Sequence, residues 1–150
     1  MAGKVTVDQL FGIKTFYGCH STALIISSIL RKFGFPAIMI ETADVHWGYS
    51  YNAGTAQNFS GHVMSEIHVE NKWILLDNNC TYVEDYDPMN PFIPVINHPT
   101  NAYFVFAKGI DTWEYSAKVD SFTHKNLIFF SDNIYCFEKM FNTVHYSWKN

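Results

Sequence analysis

Three side chains in this 150-residue chain have the types and the order needed for covalent catalysis through sulfur: Cys19, His62 and Asp77. A cysteine attacks a carbonyl as its thiolate. Two devices favour that form, the partial positive charge at a helix N-terminus and a neighbouring imidazole. Backbone N–H groups at the same helix start, that of Cys19 included, can hold the oxyanion formed on attack. An imidazole that acts first as base and then as acid needs a fixed tautomer, which a carboxylate on its far nitrogen supplies. Asp77 is the candidate for that place.

The elements that must position these groups follow from hydrophobic spacing. Apolar or small residues at 19, 23, 26, 30 and 33 step by four and three, the stripe of a helix packed on a core. The spacing predicts a helix over about 19 to 33, with Cys19 at its start and facing inward. Arg31 and Lys32 complement its negative end, Gly34 suits a left-handed cap, and Pro36 forbids continuation. A short apolar run, Ala37 to Glu41, reads as a buried strand. The stretch from Ala43 to Gly61, with two glycines at 48 and 54 and two asparagines at 52 and 58, reads as a long loop.

His62 to Glu70 alternates as a strand, Asn71-Lys72 reads as a reversal, and Trp73 to Asp77 reads as the returning strand. With a period of two, His62, Met64, Glu66 and His68 share a face, and Trp73, Leu75 and Asp77 share one on the neighbour. A regular hairpin puts Asp77 beside residues 64 to 66, with His62 in diagonal reach. Ala102 to Ala107, Trp113 to Val119 and Leu127 to Phe130 read as further strands, and Asn133 to Phe141 as either helix or strand. Trp47 and Tyr49, in the loop before His62, are candidates to line a substrate cleft; packing against the body is the competing role.

Gly18-Cys19, Ala23, Arg31, Gly34, Pro36 and Ala37, followed by His62, Glu66, Trp73 and Asp77, resemble the transglutaminase-like superfamily of cysteine enzymes, over roughly positions 7 to 77. Met64 stands where that family usually has an aromatic residue, Ile38 where many members have Arg, and Asn78 where a Pro often follows the aspartate. The resemblance implies an α+β fold of the papain and transglutaminase-like type, a nucleophile helix packed on a mainly antiparallel β-sheet. It implies a Cys19, His62, Asp77 triad acting on an amide or peptide carbonyl through a thioester, with a protein or peptide substrate and no cofactor. Arylamine N-acetyltransferases use a similar set, but their Arg-Gly-Gly lead-in is missing before Cys19. A catalytically silent binding module of the same fold is the alternative outside the enzymes.

Length and composition bound the rest. One hundred and fifty residues suit a single domain, 1-150, with a real core. A formal charge of −4 with no basic cluster beyond Arg31-Lys32 provides no field for phosphate backbones, so no nucleic acid partner is expected. The longest apolar run, Ala23 to Leu30, is broken by Ser27 and Ser28 and falls far short of the roughly 20 residues that span a bilayer. Three unpaired-looking cysteines (19, 80 and 136) and an N-terminus without a secretory core favour a reducing, cytoplasmic setting. No C-x₂-C or H-x₃-H spacing joins His20, His46, His68 and Cys80, so no metal site is expected.

Overall fold

The computed structural model describes residues 5–16, 18–56, 58–95, 102–109 and 146–149. Those residues form an α+β structure of three helices and six strands: α1 (Val7–Ile13), α2 (Gly18–Lys32), β1 (Ala37–Asp44), α3 (Val45–Asn52), β2 (Gly61–Val69), β3 (Lys72–Leu76), β4 (Tyr82–Val83), β5 (Phe92–Pro94) and β6 (Ala102–Lys108). The strands make one antiparallel sheet in the order β4-β3-β2-β1-β6-β5. β1 and β2 are therefore its centre. The predicted strands at 113–119 and 127–130, the segment 133–141 and Cys136 lie outside the described residues. Among the described residues no helix is long and apolar enough to cross a membrane.

α2 occupies the span its spacing predicts, and Gly34 caps it at φ 86°, with Gly34 N–H donating to Arg31 O and Phe35 N–H to Leu30 O. Its buried face differs from the predicted stripe. Ser21, Ala23, Leu24 and Ser27 are buried, whereas Phe33 is 76% exposed. The physical reason is close approach: small residues let the helix lie against β1 and β2, and Ser27 Oγ meets Ser65 Oγ at 3.0 Å, which satisfies two hydroxyls that burial would otherwise penalise.

Adjacent strand residues serve opposite faces. Met39 and Val63 join Leu10, Ala23 and Leu24 under the helices, while Ile40 and Met64 join Leu75, Val83, Tyr86, Ile93 and Val105 on the other side. β2 is consequently buried on both faces from Val63 to Ile67 rather than half exposed. The hairpin also corrects one expectation. Its turn residues are Glu70 and Asn71, both at positive φ (49° and 61°), and Lys72 already pairs with Val69. Two central residues of positive φ match the twist of a tight hairpin, so the reversal falls one position earlier than Asn71-Lys72.

The predicted loop from Ala43 to Gly61 is a second correction. β1 continues to Asp44, and α3 follows immediately, with the Asp44 carboxylate accepting from Trp47 N–H at 3.0 Å as an N-cap.

Candidate active site

Cys19 sits in the first turn of α2, half-buried beside the cluster of Leu10, Ala23, Leu24, Met39 and Val63. His62 is the second residue of β2 and Asp77 follows the last residue of β3. The pairing of Ser65 with Leu76 brings the end of β3 to the start of β2. As a result His62 Nε2 lies 2.5 Å from Asp77 Oδ1, and the His62 imidazole is near enough to the Cys19 thiol to favour its ionised form. With Nε2 engaged by Asp77, Nδ1 is the ring nitrogen left for the sulfur. The three residues singled out for chemistry are brought together.

Local structure holds each of them. Thr42 Oγ1 donates to His62 O at 2.9 Å and accepts from His62 N–H at 3.2 Å, clamping that residue to β1. Just before it, Gly61 runs so close to β1 that a Cβ there would stand 2.1 Å from Thr42 O, so only glycine lets the strands meet at this end. Tyr103 stacks on the His62 ring at a centroid distance of 5.5 Å and an interplanar angle of 28°. Asp77 is fixed by its turn. Its N–H donates to Thr81 O, and its carboxylate accepts from Asn78 N–H at 2.7 Å and Asn79 Nδ2 at 3.4 Å.

Electrostatics follow from these contacts. Burial pushes the Cys19 thiol up, but the hydrogen bonds from His20 and then His62 outweigh it and hold the thiol at about 5. Burial pushes His62 down, but the hydrogen bonds to Asp77 and then Cys19 raise it to about 9. Burial likewise raises Asp77, and the His62 hydrogen bond overrides it, so the carboxyl is held below its ordinary value. At neutral pH the arrangement is a thiolate beside an imidazolium backed by a carboxylate.

Two residues identified from sequence as cleft candidates are elsewhere. Trp47 and Tyr49 lie on α3 and pack on the cluster of Ala43, Val45, Phe92, Ala102 and Phe104, with Trp47 stacked on Tyr51 at 5.1 Å and edge-on to Phe59 at 4.9 Å. They are packing residues in the structure. A cavity of about 250 Å³ opens beside His62 and Asp77, and its aromatic walls are Tyr103 and Trp148. Cys19 does not line it. Glu66, a residue of the family-like pattern, is 1% exposed and accepts from Tyr86 Oη at 2.7 Å and from Lys108 Nζ. It anchors β2 to β6 instead of facing solvent.

Sequence reasoning missed the role of His20, whose Nδ1 is 3.7 Å from Cys19 Sγ and whose Nε2 is 3.6 Å from Glu41 Oε2. Helical neighbours do not ordinarily share a face, so nothing in the spacing pointed to it. Among the described residues no His, Cys, Asp and Glu grouping is suited to a metal ion. No protein-family profile, curated protein or solved structure matches this chain.

Proposed function

We propose that this chain is a cysteine-dependent enzyme of the papain and transglutaminase-like type, acting on amide or peptide carbonyls by hydrolysis or acyl transfer. The observation that carries this reading is the convergence of Cys19, His62 and Asp77, with the thiol held at about 5 and the imidazole at about 9. Cysteines that serve only as small buried hydrophobes are pushed the other way, since burial alone disfavours the thiolate.

In the proposed reaction the Cys19 sulfur attacks the carbonyl carbon, and backbone N–H groups at the start of α2 stabilise the resulting oxyanion. His62 gives its proton to the leaving amine, and the C–N bond breaks to leave a thioester. Water or an amine then attacks the thioester, losing its proton to His62 as the thiolate departs. Asp77 keeps Nε2 of His62 engaged throughout, so Nδ1 faces the sulfur and the leaving group.

Cys19→Ala tests the proposal on peptide and glutamine-containing amides. Loss of turnover with unchanged far-UV circular dichroism is the expected result. Equal activity of the variant and the wild type would assign the turnover to other residues. Equal binding of one partner by both, without turnover of any amide or ester, would make the chain a silent module.

A further inference from the structure

Cys19 is flanked by two histidine–carboxylate couples rather than one. One is His62 with Asp77; the other is His20, with Nδ1 3.7 Å from the sulfur and Nε2 3.6 Å from Glu41 Oε2. The second couple is more enclosed than a surface pair: the Glu41 side chain is 7% exposed and that of His20 21%. Glu41 pairs with Val63 on β2, placing it on the central strand under the start of α2. A buried carboxylate stabilises a neighbouring imidazolium strongly because little water screens the pair.

We propose that His20, held by Glu41, is a second positioning histidine that keeps its proton through the whole cycle and, beside His62, stabilises the Cys19 thiolate both before attack and as it leaves the thioester. This rests on the acyl-transfer reading above and deepens it. His62 loses one proton to the leaving amine and regains one from the attacking water or amine. In the interval His62 is neutral and the sulfur is acylated; once His62 has taken the proton of the attacking water or amine, the C–S bond breaks with its electron pair going to sulfur. A thiolate leaves readily only if a positive charge waits for it. His20 adds its charge to that of His62 without donating its proton, so the sulfur departs as thiolate and is at once ready for the next attack.

Among the described residues, the titratable groups that act on this sulfur are His20 on its own helix, His62 on β2 and Tyr103 on β6, with Glu41 on β1 behind His20 and Asp77 after β3 behind His62.

The test is the pH dependence of iodoacetamide alkylation of Cys19, followed by peptide mass mapping, which reads the thiol whether or not a substrate is known. His20→Gln keeps an amide at the position that meets Glu41 and removes the nitrogen that meets sulfur. Its alkylation midpoint should rise by about one pH unit or more above that of the wild type. Glu41→Gln, of nearly the same size, should raise the midpoint in the same direction and serves if His20→Gln does not fold. A folded variant at either position whose midpoint stays at the wild-type value overturns the role of His20. A wild-type midpoint at the ordinary thiol value of about 8.5 sinks the acyl-transfer reading itself, so the two failures are distinguishable.

Discussion

The Nε2 of His62 and Oδ1 of Asp77 lie 2.5 Å apart although the two residues are fifteen positions apart in the chain. A two-residue hairpin turn makes that contact possible, since it sets Ser65 opposite Leu76 and brings the next residue to the start of β2. Asp77→Asn therefore tests orientation without altering size. The amide can present its NH₂ to Nε2 and favour the wrong tautomer, and the charge that raises His62 is lost. Turnover should fall about 10²- to 10⁴-fold, the range expected of general acid–base catalysis, with the fold retained. An unchanged rate would remove Asp77 from the mechanism.

The pH profile follows from the signs of the two shifts. Attack requires Cys19 ionised and departure of the amine requires His62 protonated. The rate should rise as pH increases through about 5 and fall as it passes about 9. Because the groups interact, these limbs belong to the pair and not to either residue alone. A kcat/KM profile with one rising limb near 8.5, as for an isolated thiol, contradicts a resting ion pair.

Stability should depend on a contact away from the thiol. Glu66 is 1% exposed, and its compensating charge is Lys108, which also donates to Pro88 O at 2.6 Å. Lys108→Met leaves a buried carboxylate with Tyr86 as its remaining partner in the described contacts. The variant should lose about 3 kcal/mol in urea unfolding, typical of a broken buried pair. A loss below about 1 kcal/mol would show that Glu66 is accommodated without the lysine.

The sequence disclosed the strongly periodic elements best. α2, the β2–β3 hairpin and the approach of Asp77 to His62 follow from spacing because apolar period and strand register are local properties. α3 was hidden: Trp47, Tyr49 and Tyr51 are modest helix formers with Gly48 among them, and the segment looks like a loop unless Asp44 is recognised as its cap. The turn at Glu70-Asn71 was displaced by one because neither residue is the glycine that usually marks positive φ. Nothing in an alternating strand marks Glu66 as buried, and only the packing of Tyr86 and Lys108 from later in the chain encloses it. His20 depends on Glu41, which belongs to a different element, so the second couple became legible only when β1 was laid beneath α2.

The central claim is that Cys19 forms a covalent acyl intermediate, and trapping it is the most direct measurement. The protein is mixed with an activated ester such as p-nitrophenyl acetate, quenched in acid, and examined by intact mass and peptide mapping. Exposure alone would favour Cys80, which is exposed, over the half-buried Cys19. The predicted result is one acetyl group per chain on Cys19, formed well before any label on Cys80 and absent from Cys19→Ala. A chain that gains no acyl group, or gains it on Cys80 as fast as on Cys19, would contradict the account.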